Sequence, residues 1–174
     1  MLSPNLDTNR QVTIADVDSA MTDLLARGDG TMAQAARHHL GSGGGRVRAG
    51  LALQSAKALK LPFEVTRAIS SACELLHNAS LVHDDLQDGD TMRRGDIAVW
   101  KKFGANAAIC LGDLMVSSAY AAIATTPVDH LSTMISHMHK RVSDVIGGQH
   151  ADLESNCRTI AEYNEVARNK SGPL

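Results

Sequence analysis

A chain of 174 residues with 17 lysines and arginines against 19 aspartates and glutamates carries a formal charge of −2, which leaves no electrostatic footprint for nucleic acid. At 44% hydrophobic residues it has the makings of a folded single domain, and with only 3% aromatics its core must come from Ala, Leu, Ile, Val and Met. Cys73, Cys110 and Cys157 are scattered, odd in number and free of any CxxC pair, which argues against a disulfide framework or a zinc site and points to a reducing cytoplasm. No run reaches the roughly 18 uninterrupted apolar residues of a membrane span, so no stable membrane insertion is expected. Met1 to Arg10 lacks the apolar stretch of a secretory leader.

In chain order, Ile14 to Ala26 and Thr31 to Leu40 are predicted as short helices parted by Arg27-Gly28-Asp29-Gly30. The run Gly41-Ser42-Gly43-Gly44-Gly45 is the one break in composition, followed by a helix from Arg48 to Lys60. Pro62 suits the first turn of a long helix, where its missing N–H is not needed. Val65, Ile69, Ala72, Leu76 and Ala79 form one buried stripe on that helix, which runs to about Asp88. Ala105 to Ala124 is apolar nearly all round and is expected at the centre of a bundle. Beyond Pro127, the residues Leu131, Ile135, Met138, Val142 and Val145 repeat the helical stripe, and Thr159 to Lys170 is the last helix. Alternating strand patterns are absent, so the fold class is all-α.

The chemistry concentrates in Asp84-Asp85-Leu86-Gln87-Asp88 and the following Arg93-Arg94-Gly95. Asp84 and Asp88, at i and i+4, share one helix face. Carboxylates crowded at the end of an apolar helix repel one another unless a cation neutralises them. Hard oxygen ligands that leave room for water and phosphate oxygens suit Mg²⁺. The two arginines can offer forked donors to phosphate. A solvated acidic helix end followed by a basic turn fits the same spacing.

At these residues the chain resembles the trans-isoprenyl diphosphate synthases, the polyprenyl synthetase family. Asp84-Asp85-Leu86-Gln87-Asp88 with Arg93-Arg94-Gly95 is similar to the family's first DDxxD motif and its trailing arginine pair. The resemblance continues in order through Gly43-Gly44-Gly45-Arg46-Val47-Arg48, His77, Gly112-Asp113, Gly148-Gln149-His150-Ala151-Asp152-Leu153, Tyr163 and Lys170-Ser171. It implies an isoprenoid synthase-type helical bundle around a central cavity. In that chemistry Mg²⁺ holds an allylic diphosphate, its departure leaves an allylic cation, and the double bond of isopentenyl diphosphate attacks before a proton is lost.

Carried over by resemblance, the catalytic set is Asp84, Asp85, Asp88, Arg93 and Lys170. Asp84 and Asp88 ligate the metal, with Asp85 in support. Arg93 and Lys170 hold the allylic diphosphate with Ser171 beside them, while Arg94, Arg48 and His77 hold isopentenyl diphosphate. Gln149 and Asp152 either line the substrate and metal site or tie helices together, and His77 read without the family is a satisfied core histidine. Ala79 and Ser80 are small where short-chain members carry aromatic plugs, and Met115 is expected to reach in from the neighbouring helix. The floor is thereby open beyond fifteen carbons, and a C20 product, geranylgeranyl diphosphate, is expected. The resemblance also implies a homodimer or a dimer with a complete synthase.

Two departures stand out. In the family's GGKxxR pattern the lysine lies three residues before the arginine, and that place here is Gly45. Arg46, one place off, either substitutes through its longer reach or leaves isopentenyl diphosphate weakly held. No second aspartate-rich motif follows Lys170. Residues 1–37 are therefore expected to form an N-terminal helical segment, and residues 38–174 the N-terminal portion of a polyprenyl synthetase domain within a longer enzyme. A catalytically inactive accessory subunit and a plain helical interaction protein are the competing readings.

Overall fold

Thr13 opens the first helix through a reciprocal cap. Its hydroxyl accepts from the Asp16 backbone N–H at 3.3 Å, and the Asp16 carboxylate accepts from the Thr13 backbone N–H at 2.9 Å. Helix α1 (Ile14–Leu25) then buries Val17, Met21 and Leu25, one per turn. The computed structural model describes residues 10–154 and 159–173. Cys157 and residues 1–9, on which part of the cysteine and leader readings rest, lie outside the described residues.

Helices α2 (Thr31–Gly41) and α3 (Val47–Ala58) flank the glycine-rich turn and bury mostly alanines, so they sit close to their neighbours. The spine is α4 (Phe63–Asp88), 26 residues and so about 39 Å long. Pro62 stands at its N-cap, just outside the first turn where it was expected. Gly89, at φ 72°, ends the helix in a left-handed conformation that costs glycine little. Of the expected stripe Val65, Ala72, Leu76 and Ala79 are buried and Ile69 half-buried, with Leu75 and Val82 completing the inner face. Fully burying a side chain such as Leu75 contributes about 2 kcal/mol.

After α4 comes an antiparallel ribbon, β1 (Met92–Arg93) paired with β2 (Asp96–Ile97), and a five-residue helix, α5 (Val99–Phe103). Neither was expected. The two connecting residues, Arg94 and Gly95, have φ of 54° and 83°, the double positive φ of a two-residue hairpin that matches strand twist. Helix α6 (Ala105–Ala124) packs chiefly along α4. Only one of its faces is covered: Ala108, Leu111, Met115 and Ala119 are buried, whereas Ile109 is 46% exposed. It is therefore not enclosed all round as its composition implied. By length and composition alone α6 is also apolar enough to cross a membrane, although Asn106, Asp113 and Ser117 interrupt its apolar run; within the bundle 44% of its most apolar stretch is buried.

Helix α7 (Leu131–Glu154) lies against α6, and α8 (Ile160–Ser171) folds back along α7. A second reciprocal cap, Thr159 with Glu162, starts α8. No residue of α8 is buried, so its position rests on backbone approach and polar contacts. A single core joins α1, α2, α4 and α6 through Met21, Ala36, Leu75 and Leu111. The described residues form eight helices and one short ribbon, the all-α arrangement expected.

Candidate active site

The last turns of α4 send neighbouring carboxylates in different directions. Asp84 and Asp88 share a face, with Asp84 half-buried and Asp88 exposed. Burial pushes the Asp84 carboxyl above its ordinary range; Lys170 opposes the rise and Asp88 adds to it. Asp85 turns inward and is 1% exposed. Its Oδ1 accepts from Arg93 Nε at 2.7 Å and from Arg93 Nη2. That bond outweighs burial and holds the Arg93 pKa above its usual value. Asp85 Oδ2 has no hydrogen-bond partner among the described residues. Asp85, expected in support of the metal ligands, and Arg93, expected to hold the allylic diphosphate, are here engaged with each other.

Lys170 reaches the same place from α8. Its Nζ donates to Asp152 Oδ2 at 2.6 Å and lies 3.8 Å from Asp84 Oδ2. Burial acts to lower its pKa, but the Asp152 hydrogen bond and the Asp84 charge outweigh it, so the net shift is upward. Gly148 makes this approach possible, because a Cβ there would overlap the backbone of Asn169 and Lys170. Gln149, the next residue, donates to Gln87 Oε1 at 2.9 Å and so ties α7 to α4, while its own Oε1 is buried without a partner among the described residues.

These groups surround a cleft of about 310 Å³ whose polar lining includes Arg48, His77, Asp84, Gln149, Lys170 and Ser171. Burial first, then the neighbouring Arg48, lowers the His77 pKa to about 4, so the ring enters the site as a neutral hydrogen-bonding group. An apolar cavity of about 390 Å³ adjoins it, with Leu76, Ala79, Val116, Val142, Val145 and Ile146 among its walls. Ser80 and His83 line both spaces. The His83 ring lies against Gly112, where a Cβ would overlap it, and its Nε2 sits 3.2 Å from the Ile109 carbonyl oxygen. A polar mouth joined to an apolar hollow can take a charged head and a hydrocarbon tail.

Other expected residues lie elsewhere. Met115 is fully buried and is not among the residues lining the apolar cavity; Val116, one residue on, is. Arg46 does not line the cleft. Its Nε donates to Asp18 Oδ1 at 2.8 Å, Nη1 to the Gly43 carbonyl and Nη2 to the Leu40 carbonyl, both at 3.3 Å. The longer reach expected of it is directed into the protein. Arg94 donates to the Gly43 carbonyl, and its guanidinium lies where a side chain on Gly44 would be, 2.5 Å from a built Cβ. Gly44, at φ 133°, is favoured by its backbone conformation, and a side chain there would also displace the Arg94 guanidinium. Gly148, His83 and Val116 were not assigned roles from the sequence. The glycines at 112 and 148 were visible there, but the side chain or backbone each one admits was not.

Among the described residues no three His, Cys, Asp or Glu side chains are grouped closely enough to hold a metal ion unaided. Asp84 and Asp88 fit Mg²⁺ of the kind that takes one or two carboxylates and completes its shell with water and phosphate oxygens. Asp152, also assigned to metal, is bound to Lys170.

Residues 29–174 match the model of the polyprenyl synthetase family. The chain belongs to this family. It is 34% identical over 146 residues to the geranylgeranyl pyrophosphate synthase of Geoglobus acetivorans, covering 81% of this chain and 46% of that one. It is 32% identical over 165 residues to the geranylgeranyl diphosphate synthase of Methanosarcina mazei, covering 91% of this chain and 51% of the relative. The crystal structure of geranylgeranyl pyrophosphate synthetase from Pyrococcus horikoshii superposes with a TM-score of 0.85 at 34% identity, over 92% of this chain and 51% of that one. The chain thus spans about half the length of the curated relatives it matches.

Proposed function

We propose that this chain supplies the allylic diphosphate site of a prenyltransferase that condenses an allylic diphosphate with isopentenyl diphosphate to a C20 product. The observation that carries the reading is the polar cleft holding Asp84, Lys170, Arg48 and His77, adjoining an apolar cavity lined in part by Ala79. Asp84 and Asp88 would hold Mg²⁺, which draws charge from a leaving diphosphate. Lys170, already among carboxylates, donates to the diphosphate oxygens and stabilises the charge that builds there. Arg48 and neutral His77 bind the second diphosphate from the α3 side. The walls at Leu76, Ala79 and Val145 take the prenyl chain and keep water from it.

The small side chain of Ala79 in the cavity wall supports the longer product. The test is to incubate the chain with Mg²⁺, labelled isopentenyl diphosphate and geranyl or farnesyl diphosphate, and to separate the products by chain length. Label in C20 material supports the proposal; no extension of either primer together with no Mg²⁺-dependent binding of geranyl diphosphate contradicts it. A second reading, an accessory subunit paired with another chain, draws on exposed Ile146 at 62% and Ile160 at 80%. Size measurement alone and after mixing with a complete synthase separates the two.

A further inference from the structure

Behind the cleft lies a buried acid that the proposed chemistry does not use. Glu74, on α4, is 1% exposed. Its Oε2 accepts from the Ala49 backbone N–H at 3.2 Å, within the first turn of α3. That turn has no side-chain cap of its own, and its N–H groups otherwise lack partners inside the helix. Glu74 Oε1 lies 3.8 Å from Arg46 Nη1 and 3.4 Å from Asn78 Nδ2, which donates to it. Asn78 Oδ1 in turn accepts from His39 Nε2 at 3.0 Å, so the acid closes a buried polar chain reaching α2.

Arg46 itself has φ 46°, a left-handed conformation that a non-glycine residue keeps only when its surroundings over-determine it. Here they do so through Asp18, two carbonyl groups and Glu74. The consequence falls on a flanking arginine. Arg48 is the second residue of α3, directly before the capped Ala49, and lines the cleft. Arg94 rests on Gly43 and Gly44 and donates to the same Gly43 carbonyl as Arg46, outside the cleft lining.

We infer that Glu74 is a positioning residue: its carboxylate caps α3 from a neighbouring helix, locks Arg46 into the glycine turn and so holds Arg48 at the cleft, where it meets one diphosphate. Arg46 is the anchor of that turn and not a ligand. The inference rests on the proposed function, because the diphosphate is the one assigned there to isopentenyl diphosphate. The Asp84–Lys170 side of the cleft is built from the other end of α4 and from α8, and does not depend on this cap.

That separation supplies the test. Calorimetric titrations of the chain with isopentenyl diphosphate, and separately with geranyl diphosphate plus Mg²⁺, are compared for wild type, Glu74→Gln and Glu74→Ala. Gln keeps an acceptor for Ala49 but loses the charge that faces Arg46. The expected result for Glu74→Gln is about tenfold weaker binding of isopentenyl diphosphate with geranyl diphosphate affinity within about twofold of wild type, and a larger loss for Glu74→Ala. If the alanine variant does not fold, the glutamine variant carries the comparison. Equal loss at both ligands with a lower melting temperature reduces Glu74 to a structural role and overturns the inference, as does unchanged affinity for both. A wild-type chain that binds geranyl diphosphate but not isopentenyl diphosphate overturns this inference alone; one that binds neither overturns the proposed function and this inference with it.

Discussion

Replacing Gly148 by alanine separates the position of α8 from the stability of the bundle. The Asn169 carbonyl oxygen lies 2.7 Å from where the new Cβ would sit and the Lys170 backbone nitrogen closer still, against 3.4 Å or more in ordinary contact, so α8 must lift by about 1 Å. Nothing in α8 is buried to resist the movement. The Lys170 ammonium, 3.8 Å from Asp84, then stands at about 5 Å, beyond the reach of a ligand shared with that carboxylate. Losing one charged hydrogen bond to a diphosphate costs about 1.5–3 kcal/mol, or roughly ten- to a hundredfold in affinity. Within α7 itself the same change favours helix by up to about 1 kcal/mol. The expected outcome is a melting temperature that is unchanged or slightly raised, faster amide exchange confined to α8, and much weaker Mg²⁺-dependent binding of geranyl diphosphate. Unchanged exchange and affinity would refute the reasoning that Gly148 sets Lys170 in place.

Ala79→Phe fills the wall of the apolar cavity and is expected to shorten the product when chain lengths are resolved by chromatography; an unchanged product distribution counts against the cavity as the prenyl site. Asp85→Asn removes the buried carboxylate that pairs with Arg93, which is itself partly exposed and keeps Asp90 at 3.8 Å, and should cost about 2 kcal/mol in urea unfolding, the scale of one charged hydrogen bond. His39 is held to about 4 by burial, a depression that the Asn78 hydrogen bond opposes and Arg94, Arg46 and Arg93 reinforce. Between pH 6.5 and 4 the unfolded chain binds the proton that the folded one refuses, so stability falls as pH drops through that window, by on the order of 2–3 kcal/mol. His39→Gln should flatten that part of the stability curve, since Gln keeps an amide for Asn78.

Much of the architecture was legible because it rests on local rules. The stripe from Val65 to Ala79 and the apolar run of α6 located the two central helices. The hairpin was not legible, since its strands are two residues each and one turn position with positive φ is an arginine. Nor does spacing reveal that Arg46 turns to Asp18, 28 residues earlier, because that choice is made by a tertiary neighbour. Met115 and Val116 differ by one helical step of about 100°, finer than an apolar pattern resolves on a helix rich in small residues. Within the site, Asp84 and Asp88 could be placed on one face from their spacing, whereas the approach of Lys170 depends on a glycine on another helix.

The central claim is that the Asp84 face of α4 and Lys170 of α8 form a Mg²⁺-dependent diphosphate site. Calorimetric titration of the chain with geranyl diphosphate, with Mg²⁺ and with a chelator, repeated for Asp84→Asn, tests it most directly. The account predicts saturable binding that needs Mg²⁺ and is lost in the variant. Absence of binding, or binding indifferent both to the metal and to Asp84, would contradict it.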